Sequence, residues 1–305
     1  MIITNNDLFY AFNKKNDFYL RNVHLYLNRI YYSILFSEDE KNTVFEDHFN
    51  EFRGVESVWI KYEKEYCLKA YDCDREVLNS SIVESALKAH PVFQHPLFDY
   101  LCGEINLNYL KDFILNESIL NLEFFDYLAL SIVGVSDQAK SEIISNLWDE
   151  AGRGNIQLFH TTLFRKLMEG LELKYKRDNI IESMCWEGLA GINLFSYFSL
   201  YAYNKTKYFG LLAATEMLDP PHYNKLIKGL SKLIHAHKID CSYYVEHETI
   251  DVEHARGWLE KVIIPKLAQN PHKNQDFWLG FYMRLDSAKR YYDRLLDLFL
   301  TQQAA

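Results

Sequence analysis

The segment H-E-T-I-D-V-E-H at 247–254 restricts this chain more than any other. On an α-helix, positions i, i+4 and i+7 share a face. At the helical pitch, His247, Asp251 and His254 fall within roughly 60° of one another. Two imidazoles bracketing a carboxylate on one stripe is how a helix presents ligands to a metal ion. Core histidines usually come singly and are satisfied by one neighbour, so packing explains this pattern poorly. The rest of the chain decides which metal and which chemistry.

Long helices suit the chain, because only 12 Gly and 6 Pro interrupt 305 residues. That length allows one large domain or two ordinary ones. A hydrophobic fraction of 49% with 25% charged residues implies a folded globular protein. The net charge of -9 argues against a nucleic-acid partner, whose footprint is basic. Cys67, Cys73, Cys102, Cys185 and Cys241 are scattered and form no C-x-x-C pair. Neither a disulfide framework nor a zinc knuckle is suggested, and a reducing cytoplasm fits. The start, M-I-I-T-N-N-D-L-F-Y, has no basic region followed by an apolar run, so no signal peptide is expected. The uncharged run Gly188–Asn204 carries Asn, Ser and Tyr and is short for a bilayer. It reads as a buried central helix, and no membrane contact is expected.

Residues 1–90 are polar and aromatic, with apolar residues at helical spacing and no ligand cluster; His24 and His48 have no convincing partners. This stretch reads as a helical extension that packs on the main domain or makes an oligomer contact. The segment H-P-V-F-Q-H-P at 90–96 marks the boundary with a domain over 91–305. Beyond it come amphipathic stretches. Ser136 is a suitable N-cap for S-D-Q-A-K-S-E-I-I-S-N-L-W-D-E.

That helix ends in the glycine-rich interruption A-G-R-G-N, with Glu150 before it and His160 after. On a straight helix the two would lie about 80° and roughly 15 Å apart, too far for one metal centre. A bend at Gly152 and Gly154 is what could join them. Glu216 sits among Leu211, Leu212, Ala213, Ala214, Met217 and Leu218, where a carboxylate is costly unless paired, protonated or metal-bound. An outward-facing Glu216 is the competing reading. Pro220 and Pro221 should stop that helix, with a further helix over about 223–237. His222 reads as a surface residue. His235 and His237, two apart, point away from each other on a helix. Glu246, Glu248 and Glu253 lie off the ligand stripe and are most simply solvated. The helix of His254 should run on to Ile263, and an amphipathic helix from Asp276 closes the bundle.

D-E-A-G-R-G-N-I-Q-L-F-H at 149–160, Glu216, and H-x-x-x-D-x-x-H at 247–254 together resemble the haem-oxygenase-like di-iron oxidases and oxygenases, the iron-containing redox enzymes. The resemblance covers about residues 95–295. It implies an all-α bundle of about seven core helices holding two Fe(II) ions, with manganese as the other metal such donors accept. Carried over by position, the ligands are Glu150, His160, Glu216, His247, Asp251 and His254. Members that oxygenate nitrogen show one more carboxylate on the preceding helix; Glu123 is the candidate here, with Glu117 or Asp126 as substitutes. The resemblance also implies O2 as co-substrate, a peroxo-diferric intermediate and a small amine- or carboxylate-bearing substrate. The outcome would be N-oxygenation, desaturation or oxidative C–C cleavage. An external electron donor and a homodimer belong to the same expectation. Three carboxylates and three imidazoles without a thiolate suit iron or manganese better than structural zinc. A ferritin-like centre requires Glu-x-x-His on two helices, and the chain contains none. A cofactorless oxidase of the same fold and a non-enzymatic helical metal-binding protein are the alternatives.

Overall fold

A computed structural model of the chain describes all residues except 1, 39–43, 78, 105, 235–238 and 305. His235 and His237 lie outside the described residues, as does the side chain of His48. No strand occurs among the described residues. The helices are α1 (Asn5–Leu8), α2 (Asp17–Leu35), α3 (Val44–Ala70), α4 (Ser80–Ala89), α5 (Pro96–Glu104), α6 (Leu107–Ser131) and α7 (Asp137–Glu150). They are followed by α8 (His160–Gly170), α9 (Arg177–Ser183), α10 (Trp186–Leu200), α11 (Lys205–Ile234), α12 (Ser242–Gly257), α13 (Ile264–Gln269) and α14 (Asn274–Ala304).

Side-chain caps set several of the starts. Asn16, Asn79, Asn106 and Ser136 each accept a hydrogen bond from a backbone N–H in the first turn of α2, α4, α6 and α7. The Ser136 cap is the one read from the sequence. At the expected boundary, His90 caps a 3-10 turn over Pro91–Gln94. The helix of His254 continues past Gly257 as a π turn, Trp258–Ile263, before α13.

The core is built around α11, which packs on α5, α12 and α14. Two glycines let α11 and α14 touch backbone to backbone. A Cβ on Gly210 would sit 2.1 Å from the Phe277 carbonyl oxygen, and one on Gly280 would sit 1.8 Å from that of Lys207. α10 is largely apolar with no distinct polar face and lies buried between α2, α6 and α14. No helix among the described residues is long and apolar enough to cross a membrane. One hydrophobic cluster runs from Ile3 to Phe299, so α1–α4 share a core with the rest of the chain.

Three sequence expectations fail here. Pro220 and Pro221 do not end a helix: α11 runs through both to Ile234. Each proline removes one N–H and leaves the carbonyl four residues earlier, on Glu216 or Met217, without its helical partner. Packing on both sides of the prolines holds the helix together in spite of this. His222 is not on the surface. It is 1% exposed, stacks on Phe98 at 3.9 Å, and its Nε2 lies 2.9 Å from the Val92 carbonyl oxygen. Its place one turn beyond Leu218 on a continuous α11 turns it inward, which a helix broken at Pro220 would not do. His24 also has partners: it is buried between Trp59 and Trp186, and the Asn193 amide donates to its carbonyl.

Candidate metal centre

Glu150 is the last residue of α7. Gly152, Arg153 and Gly154 then take φ values of 64°, 54° and 83°. Three successive left-handed residues reverse the chain, and two 3-10 turns, Gly152–Gly154 and Ile156–Leu158, lead directly into α8 at His160. The bend that the sequence required therefore exists, and it places His160 Nδ1 2.7 Å from Glu150 Oε2. Space as well as φ demands glycine at 152, where a Cβ would lie 2.5 Å from the carbonyl carbon of Leu158.

α12 carries His247, Asp251 and His254, and all three are buried. α11 supplies Glu216, which is 3% exposed and so not outward-facing. The six side chains form two groups. Glu150, His160 and His247 make one; Glu216, Asp251 and His254 make the other; in each group the donor atoms lie within 4.8 Å of one another.

The surrounding contacts orient the imidazoles. His254 Nε2 lies 3.4 Å from Asp149 Oδ2, which leaves Nδ1 facing Glu216 at 3.5 Å and Asp251 at 3.9 Å. His247 Nδ1 lies 2.8 Å from the Tyr243 carbonyl oxygen, which leaves Nε2 facing Glu150 at 3.9 Å. A ring nitrogen held by a carboxylate or carbonyl while the other faces inward is the arrangement of metal-ligating histidines. Asp149 is in turn held by Arg153, which also pairs with Glu246. Glu246 is thus half-buried in an ion pair and Glu248 half-buried against Asn224, while Glu253 is exposed.

Burial pushes the His247 ring down to about 4, with the neighbouring His160 adding to the effect. Burial also opposes charge on His254, but Glu216, Glu150 and Asp149 outweigh it and carry that ring up to about 9. Burial, with Glu216, Asp219 and Glu150 nearby, holds the Asp251 carboxyl well above its ordinary value. Carboxylates crowded away from water favour a cation among them.

The donors fit a metal pair. Both ring nitrogens of His160, Oε1 of Glu216, Oδ1 of Asp251 and Nδ1 of His254 are buried without a hydrogen-bond partner among the described residues. Buried polar atoms are normally satisfied. These five belong to the two donor groups, and His160 and Glu150 approach closely without hydrogen-bond alignment, as two ligands of one ion do.

Glu123 stands apart. It is 6% exposed, but its Oε1 accepts from Arg177 Nε at 2.7 Å and its Oε2 from the Tyr127 hydroxyl at 3.4 Å. It lies neither with the six ligands nor on a solvent face. The side of α6 turned to the centre carries Glu117, Leu120, Asn121 and Phe124 instead, and Asp126 is exposed. Sequence reasoning missed Asp149, whose signal was its place beside Glu150, and missed Asp219 and Arg284, which border the centre from α11 and α14. No local pattern marks those two.

The model of the iron-containing redox enzyme family matches residues 111–289, a span that holds all six candidate ligands and Arg284. A comparison with curated protein sequences returned no match. An all-α chain with paired carboxylate–imidazole groups at its core, matched over more than half its length, belongs to the iron-containing redox enzyme family.

Proposed function

We propose that this protein is an O2-dependent non-haem di-iron oxidoreductase acting on a small substrate that bears an amine or a carboxylate. The observation that carries this reading is the pair of adjacent, buried three-donor groups containing no thiolate. Glu150, His160 and His247 would hold one metal, and Glu216, Asp251 and His254 the other. When bound, a ferrous pair would supply the electrons for O2 activation, with an external donor as their ultimate source. The same donors accept manganese.

The protein's own part is to orient and to enclose. Asp149 and the Tyr243 carbonyl fix which nitrogen His254 and His247 offer. Tyr243 and Tyr223 pack on His247, Phe164 packs on Tyr243, and together they limit water at the centre. The ligands do not choose among N-oxygenation, desaturation and C–C cleavage, since each begins with the same activation of O2.

Anaerobic reconstitution should load about two Fe(II) per chain, the stoichiometry of a two-metal site. His247→Ala and Asp251→Ala should each lower the iron content and O2 uptake. Full iron occupancy and unchanged O2 uptake in both variants would overturn the reading.

A further inference from the structure

A cavity of about 30 Å³ lies against the candidate metal centre. Glu150 and His247 of the first donor group and Glu216 and Asp251 of the second line it, so it borders both groups at once. α6 contributes Leu120, Asn121 and Phe124 to the wall. A catalytic metal site keeps a position free for a ligand that the protein does not supply. Roughly 10–15 Å³ of such space admits one water molecule, so a ligand of about two or three heavy atoms fills this cavity.

Among the residues lining the cavity, three buried side-chain atoms have no hydrogen-bond partner among the described residues: Glu216 Oε1, Asp251 Oδ1 and Asn121 Nδ2. A metal pair accounts for the two oxygens. It does not account for the nitrogen, because an amide N–H donates and cannot ligate a cation. A buried donor without an acceptor is costly, so this one calls for a ligand that accepts. The other end of the amide is already engaged: the Tyr243 hydroxyl donates to Asn121 Oδ1 at 2.9 Å. Burial holds that hydroxyl well above its ordinary pKa, so it keeps the proton it donates. The Tyr243 carbonyl oxygen also lies 2.8 Å from His247 Nδ1. One residue therefore orients both a candidate metal ligand and the free amide beside it.

We propose that Asn121 is a ligand-binding residue of the centre: its amide N–H donates to a small ligand of the metal pair that offers a lone pair. In the proposed reaction that ligand is O2, and a small anion such as azide takes the same place. Tyr243 is a positioning residue that keeps the amide turned with its N–H free. A fixed N–H donor favours negative charge on the ligand, which O2 gains as it is reduced. Glu123, two positions further along α6, is rotated about 200° from Asn121 and pairs with Arg177. The contribution of α6 to the centre is thus a neutral donor and not a further carboxylate.

The inference rests on the di-iron reading, and iron is counted in every sample so that the two can fail separately. Iron-loaded protein, oxidised to the ferric state, is titrated with sodium azide and followed by the azide-to-iron charge-transfer absorption. Wild type should bind azide saturably. Asn121→Leu, similar in size but without a donor, should weaken binding by about tenfold or more, the worth of a hydrogen bond to a charged group. Tyr243→Phe keeps the ring and the carbonyl that holds His247, and should weaken binding by a smaller factor. Iron content should be unchanged in both variants. The antisymmetric stretch of bound azide should also shift in Asn121→Leu, which a packing change away from the ligand would not produce. Iron-loaded wild type that binds no azide, or wild-type affinity in either variant, overturns the proposal and leaves the di-iron reading standing. Loss of iron in Asn121→Leu overturns it too, by making Asn121 part of what holds the metal. Wild-type protein that takes up no iron removes the di-iron reading and this proposal with it.

Discussion

Gly152→Ala should remove one metal and spare the other. Position 152 has φ of 64°, and a left-handed conformation costs a non-glycine residue roughly 1–2 kcal/mol. The larger effect is steric. The added Cβ would lie 2.5 Å from the Leu158 carbonyl carbon and from the Phe159 nitrogen, about 1 Å inside optimal contact. Both atoms are backbone and cannot swing aside, so the 158–159 segment must retreat by about that much. His160 follows immediately, and metal–ligand distances tolerate only about 0.2 Å. The Glu150–His160–His247 group should therefore fail while Glu216, Asp251 and His254, on α11 and α12, persist. Gly154→Ala is the control. Its Cβ would meet the Trp148 ring at 2.9 Å, but that ring is 57% exposed and free to turn away. The assay is chelator-based iron counting after anaerobic reconstitution, with a thermal melt on the same samples. Gly152→Ala should hold about one iron per chain, against about two for Gly154→Ala. It should also melt roughly 5 °C or more below wild type, for a loss of about 2–3 kcal/mol. Two irons in Gly152→Ala, or equal losses in both variants, would refute the argument that the reversal at 152 delivers His160.

Two further predictions test residues away from the centre. Arg177→Ala should cost about 3–5 kcal/mol by stranding the buried Glu123 carboxylate, whereas Glu123→Gln should leave the iron content at the wild-type value; iron loss in Glu123→Gln would return that residue to the centre. Acid should destabilise the fold through His24 and His222, both pushed down to about 3 by burial from an ordinary 6.5. Below pH 6.5 the unfolded chain takes up protons that the folded protein refuses, so this stability is complete above that pH and lost as pH falls toward 3. The loss is about 2 kcal/mol per histidine at pH 5. His222→Phe, which keeps an aromatic stack on Phe98, should remove about half of it in denaturant titrations at pH 5 and 7. An identical pH difference in that variant would contradict the assignment.

Helical periodicity and a shortage of breakers made the all-α class legible in the chain, because both follow from local geometry. The stripe of His247, Asp251 and His254 was legible for the same reason: three residues on one helix have a spacing that dictates a shared face. The two glycines announced a bend between Glu150 and His160, since left-handed backbone has a residue preference visible in one dimension. What the tertiary structure decided lies between helices. Whether Glu123 reached the centre depended on the rotation of α6 and on Arg177, 54 residues away, capturing its carboxylate. Whether Pro220 and Pro221 ended α11 depended on packing against α12 and α14, which outweighs the lost hydrogen bonds. His222 followed α11 into the core. Asp149 as the partner of His254, and Arg284 beside Glu117 and Asp219, arise from side chains far apart in the chain meeting across helix interfaces, and no periodicity within a single helix encodes such a meeting.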